Sequence, residues 1–338
     1  MDKCVSKVYN GSMRAMRRRV CAEKYRTEED KRVKRSDSRE RDESLDEAGK
    51  YQNAFLEGAD PFVMTWQGKY YLYATNDPKG YRVYVSDDFT AWEEKGYCLR
   101  AEDVQGKEMF WAPEVMERGG RFYMVYTSEE HIGIAQSDSP LGPFVQREKK
   151  WLSEEKAIDG HFFADDDGEV YLYYVRLRGQ NEIYVARLNN ELTEIDEAHE
   201  KFLCRAEEEW ELRDCKVTEG PFVLKHKGKY YLTYSANHTR SEDYAIGYAV
   251  SDSPLGPFVK YKGNPILHKN EYASGVGHHS FTRSKDGKEL ICVYHRHFSK
   301  DTFRPRMICA DRAEFVAQAD GDDILVVHGP TGTPQKAF

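Results

Sequence analysis

The sequence predicts an all-β protein, a five-bladed β-propeller over residues 51–338, and two observations carry that prediction. First, one phrase recurs five times, a turn glycine followed by an aromatic-rich alternating strand: WQGKYYLYAT (66–75), RGGRFYMVYT (118–127), DDGEVYLYYV (166–175), HKGKYYLTYS (226–235) and KDGKELICVY (285–294). Its glycines, at 68, 120, 168, 228 and 287, stand 52, 48, 60 and 59 residues apart, which suits one small antiparallel sheet per repeat and is too long for a solenoid turn. Second, apolar positions in these segments alternate with period two, and Gly or Pro interrupts every candidate helix.

Each repeat can be laid out in order. A short strand precedes each glycine turn: DPFVMTW, APEVMER, GHFFAD, GPFVLK and HSFTRS. The turn makes a hairpin with the aromatic strand, and a third strand follows: YRVYVSDDF, IGIAQSDSPLGPF, IYVARLNNEL, IGYAVSDSPLGPF and PRMICADRAEF. The octapeptide SDSPLGPF occurs twice without change, at 137–144 and 251–258, and most repeats leave room for a fourth strand. Five such sheets arranged around an axis expose only short, protected edges, which keeps so many strands soluble.

Composition narrows the partners. Hydrophobic residues make up 40% of the 338 and aromatics 13%, ample for a packed core of strand-preferring side chains. No segment approaches a membrane span, and the first 30 residues lack the apolar core of a secretory signal, so the expected location is cytoplasmic with no membrane partner. The seven cysteines are widely spaced with no CxxC pair, which suits free thiols. Residues 1–50 hold 15 Lys and Arg against 11 Asp and Glu, leaving 35 against 47 in the rest, a balance that argues against nucleic acid as a partner. That first segment, with MRAMRRRV and a dense mixed-charge run, shows no strand pattern and is expected to be a disordered or weakly helical extension.

Chemistry concentrates where each first strand begins. Counting back from the turn glycines gives Asp60 (eight before Gly68) and, nine before their own glycines, Trp111, Asp159, Glu219 and His278. The first strand of a propeller blade lines the central channel, so these starts should converge. A lone Asp before Pro or Gly is usually a turn residue. Three carboxylates in register at one axis repel one another, and a fold tolerates that chiefly where function requires it. Such a set suits glycoside hydrolysis, in which a protonated acid serves the leaving oxygen while a carboxylate activates water or attacks carbon. Metal-dependent hydrolysis is the rival chemistry, but a mononuclear zinc site usually shows two or three His, and only His278 and His279 stand nearby.

At the same residues the sequence resembles glycoside hydrolase family 43: GADPFV, FWAPEV, AIDGHFFADDDGEVYLYY, VTEGPFV and GVGHHSF follow the family's motifs in order, over about residues 51–315. The resemblance implies an inverting mechanism with Asp60 as general base, Glu219 as general acid, and Asp159 raising the acid's pKa and orienting it. It also implies oligosaccharide substrates with terminal α-L-arabinofuranosyl residues first and β-D-xylosyl residues second. No cofactor is required for that chemistry, but His278 matches a family histidine that often contacts a calcium ion near the axis, directly or through water. Gly160 stands after the second acid where many members have Pro, and the β-sandwich module of some family xylosidases is not among these residues. Trp111 and Phe110 are candidates for an apolar platform under a sugar face. Arg306, with Arg296 and Arg304, is a candidate for sugar hydroxyls. Glu114, deeper in its strand, reads as structural, and His279 as a core or rim histidine pointing away from His278. A sugar-binding propeller without catalysis should have lost one of the three acids, and none is lost. A fructan-acting relative should show Asn-Asp-Pro and Arg-Asp-Pro, but Ala59 precedes Asp60 and no Arg-Asp-Pro occurs.

Overall fold

The computed structural model describes residues 49–338. The expected extension therefore lies outside the described residues, except that Lys50 already belongs to a short strand, Lys50–Tyr51. Five blades follow one another, as the repeats require. The first contains Ala59–Trp66, Lys69–Thr75, Gly80–Ser86 and Glu93–Arg100, and the second Trp111–Arg118, Arg121–Ser128 and His131–Ser137. The third contains Ala157–Ala164, Val170–Leu177, Asn181–Arg187 and Lys201–Arg205, and the fourth Thr218–His226, Lys229–Ala236, Ala245–Ser251 and Val259–Lys260. The fifth is built from Gly277–Arg283, Leu290–Arg296 and Met307–Val316.

The last blade is completed from both ends of the described chain, with Ile324–Val327 pairing antiparallel with the far half of Met307–Val316. Leu56–Glu57 pairs antiparallel with Met307–Val316 through Leu56 opposite Ile308, and Lys50–Tyr51 pairs with Gln335–Lys336. Joining both ends in this way closes the ring, so the first and last blades do not meet as open edges. The repeat pattern did not reveal this closure, because the segment before the first repeat carries no turn glycine.

The aromatic strands pack between blades. Tyr70, Leu72 and Ala74 of the first blade share a buried cluster with Ile291 and Val293 of the fifth. Tyr73 and Tyr173 occupy equivalent places, and they explain the duplicated octapeptide. The Tyr73 hydroxyl donates to the Pro140 carbonyl and that of Tyr173 to the Pro254 carbonyl, each at 2.6 Å. Within each copy the serines cap the turn, with Ser139 N–H donating to Ser137 Oγ and Ser253 N–H to Ser251 Oγ. A buried phenol needs a partner, and the repeated turn presents a carbonyl to it. Cys98, Cys204, Cys292 and Cys309 are buried free thiols, as expected from their spacing. Among the described residues no helix is long and apolar enough to cross a membrane.

Candidate active site

Every first strand carries the same irregularity at its start. Pairing with the second strand breaks after Ala59, Trp111, Ile158, Glu219 and Gly277 and resumes at Phe62, Glu114, His161, Phe222 and Ser280. The two unpaired residues of each blade line a narrow axial cavity. The first of each pair is left-handed in all five blades: Asp60 (φ 50°), Ala112 (44°), Asp159 (57°), Gly220 (56°) and His278 (45°). Five non-regular backbones in register are a built feature of the fold, since a bulge re-aims side chains out of the sheet.

This register corrects the column counted from the glycines. Asp60, Asp159 and His278 are equivalent, whereas Trp111 and Glu219 stand one residue earlier, with Ala112 and Gly220 in the bulge position. The count slipped because the turns of the third blade (165–169) and fifth blade (284–289) are longer than the two-residue turns of the others. Glycine at 220 has a steric reason. A Cβ there would lie 3.2 Å from the His278 ring, on a backbone that already disfavours side chains.

The three carboxylates nonetheless share one region, in distinct environments. Asp60 is buried, and Arg306 Nη1 donates to its Oδ1 at 3.0 Å while His278 Nδ1 lies 3.4 Å from the same oxygen. Burial by itself would raise Asp60, but the nearby cationic groups, Arg306 foremost, and the Thr75 hydroxyl outweigh it and hold the carboxyl well below the usual range. Burial pushes His278 and His295 below the usual histidine range, so both are neutral near pH 7 and Arg306 is the lasting cation. Asp159 is also buried. Desolvation, then the charges of Glu219 and Asp60, raise its carboxyl well above the usual range, while its Oδ2 accepts the Gly220 N–H at 3.1 Å.

Glu219 is half-buried, with Tyr244 Oη donating to its Oε1 at 2.7 Å and Asn181 Nδ2 3.4 Å from Oε2. Burial pushes it up to about 7, opposed by the Tyr244 hydrogen bond and assisted by the charge of Asp60. To the like charge expected from Asp159 the structure adds burial as the first cause. Asp159 is itself raised, by burial and then by the charges of Glu219 and Asp60. Because the phenol stabilises the ionised form, Tyr244→Phe should move the alkaline limb of the kcat/KM profile to higher pH. An unmoved or lowered limb would show that the Tyr244 bond does not tune Glu219.

The other candidate residues divide. Trp111 is partly exposed, shares the register of Glu219 and packs against the cluster between the third and fourth blades. Phe110 is not a platform: its side chain is 2% exposed, packed between Tyr81 and Tyr126, where adjoining aromatic rings bury it more fully than a sugar could. Arg306 is in the site, engaged with Asp60. Arg296 instead donates to the carbonyls of His297 and Phe298, and Arg304 stands exposed beside Phe303. Glu114 is structural, accepting the Phe162 N–H at 2.8 Å and holding His161 Nδ1 at 2.9 Å across two blades. His279 is a buried core histidine, as expected, packed edge-on against Phe281 while His278 faces Asp60 and Asp159. Both histidines line the cavity, and His279 Nε2 lies 2.6 Å from Thr233 Oγ1 while its Nδ1 is unpartnered.

A directly ligated calcium ion does not fit this site. Calcium takes roughly six to eight oxygens, but among the described residues the carboxylates within 4 Å of His278 Nδ1 are Asp60 and Asp159, at 3.4 and 3.9 Å, and Asp60 already holds Arg306. Among the described residues no group of three His, Cys, Asp or Glu is arranged to hold a metal. Sequence reasoning missed Tyr244, Asn181 and His295. The first two come from loops or strand starts with no motif, and His295 lay unremarked beside Arg296.

Comparison with known proteins agrees with the fold. The model for glycosyl hydrolases family 43 matches residues 51–323. A β-xylosidase of Xylanibacter ruminicola is 27% identical over 77% of this chain and 94% of its own length. A xylosidase/arabinosidase of Bacteroides ovatus is 29% identical over 61% of this chain and 77% of its own. Among solved structures, an endo-1,4-β-xylanase from Bacteroides thetaiotaomicron VPI-5482 superposes with a TM-score of 0.79 and 38% identity, covering 84% of this chain and 98% of that one. The repeats, the three acids at the axis and the family match together establish that the chain belongs to glycosyl hydrolase family 43 and is a glycosidase.

Proposed function

We propose that the protein is an inverting glycosidase that removes terminal pentosyl residues, α-L-arabinofuranosyl first, from plant-cell-wall oligosaccharides. The observation that carries the mechanism is the opposite setting of two carboxyls in one site. Asp60 is kept ionised beside Arg306, and Glu219 is raised to about 7. Groups whose environments push their pKa values apart divide into base and acid. Asp60 takes a proton from water as the water oxygen attacks the anomeric carbon. The bond from that carbon to the leaving oxygen breaks, and Glu219 delivers its proton to that oxygen. Asp159 holds the Gly220 amide and keeps the Glu219 backbone in place.

The preference for a pentose is supported by relatives named for xylosidase and arabinosidase activity, and β-D-xylosyl release is the second reading. A panel of nitrophenyl pentosides and hexosides, with the first-formed anomer followed by NMR, tests both parts. Inversion with a pentoside preference is expected. Retention would make one carboxylate a nucleophile, and a hexoside preference would remove the pentosyl assignment.

A further inference from the structure

Neighbouring blades are joined around the axis by one repeated hydrogen bond. The residue opposite the last paired position before each bulge is Thr75, Thr127, Ser235 or His295 in four blades. Its side chain accepts the N–H of the next blade's bulged residue. Ala112 donates to Thr75 Oγ1 (2.9 Å), Asp159 to Thr127 Oγ1 (3.0 Å), His278 to Ser235 Oγ (2.8 Å) and Asp60 to His295 Nδ1 (3.2 Å). In the third blade that position is Val175, fully buried at 0% exposure and opposite Ile158. Valine has no acceptor. The amide it would have served, Gly220 N–H, goes to Asp159 Oδ2 instead.

We infer that Val175 is a positioning residue for the reaction: by withholding the acceptor that its position supplies elsewhere, it commits Asp159 to the peptide that carries Glu219. A buried N–H must find a partner, and the carboxylate is the one within reach. The exception falls on the one blade junction where the acid stands before the bulge, so the chain gains a tie between two carboxyl-bearing segments where a neutral hydroxyl would leave them independent. This inference rests on the reading of Glu219 as general acid.

Val175→Thr, which is nearly isosteric, tests it alone and in an Asp159→Ala background, with Val175→Ala as the control. Alone, Val175→Thr should lower kcat on a natural disaccharide more than on a dinitrophenyl glycoside, because only the former needs the acid. In Asp159→Ala, the new hydroxyl should recover on the order of tenfold of the roughly 10² to 10⁴ that lost acid assistance costs. Val175→Ala should recover none. Equal behaviour of Thr and Ala, or an unchanged ratio between the two substrates, would overturn the inference. Val175→Ser provides the same hydroxyl on a smaller side chain if the threonine variant does not fold. A crystal structure of the hydroxyl variant answers independently of turnover. Gly220 N–H on the new hydroxyl supports the tie set by Val175, and Gly220 N–H still on Asp159 refutes it, whereas failure of the general-acid reading itself would appear separately, as equal damage by Glu219→Gln on both substrates.

Discussion

Asp60→Asn is expected to lower kcat by about 10² to 10⁴ on every glycoside substrate, whatever its leaving group. Water is a poor nucleophile toward the anomeric carbon unless a base accepts its proton, and that need does not depend on what leaves. The substitution keeps shape and still offers an oxygen to Arg306, whose Nη1 now sits 3.0 Å from Oδ1, so the loss should fall on kcat with folding intact. The measurement is kcat on a natural disaccharide and on a dinitrophenyl glycoside, with thermal unfolding as the check on structure. A loss confined to the disaccharide would remove Asp60 from the role of base.

Glu219→Gln should show the selective pattern. A sugar alkoxide is strongly basic and cannot leave without a proton in the transition state, whereas a dinitrophenolate departs readily without one. The variant is therefore expected to lose about 10² to 10⁴ of kcat on the disaccharide while retaining much of the rate on the activated substrate. The alkaline limb set by Glu219 near pH 7 should also disappear from the profile of the activated substrate. Equal damage on both substrates, together with a leaving-group dependence in Asp60→Asn, would reverse the two assignments.

The two variants also separate the proton-transfer roles from the scaffold. Glu219 is held by Tyr244 and Asn181 on one side and, through Gly220, by Asp159 on the other, so an amide in its place keeps most of its neighbours. Asp60 lies where the first blade meets the fifth, with its own N–H on His295. Neither substitution should undo the ring of blades, whose closure depends on Leu56 opposite Ile308 and on buried aromatic clusters away from both carboxyls.

The sequence by itself determined the five blades and the three acids. Both are written in local pattern: alternating aromatic strands after a turn glycine, and an acid just ahead of three of them. It could not determine the register at the axis, because counting from a turn assumes equal turns, and the third and fifth blades have longer ones. Whether Phe110 faced sugar or core was equally hidden, since the partners that bury it are Tyr81 and Tyr126 from other strands. The setting of each carboxyl was decided by tertiary structure alone. Arg306 reaches Asp60 across 246 residues of chain, His295 accepts the Asp60 amide across 235, and Asp159 takes the Gly220 amide across 61. Proton affinities depend on desolvation and on charges a few ångströms away, and those neighbours exist only once the ring of blades has closed.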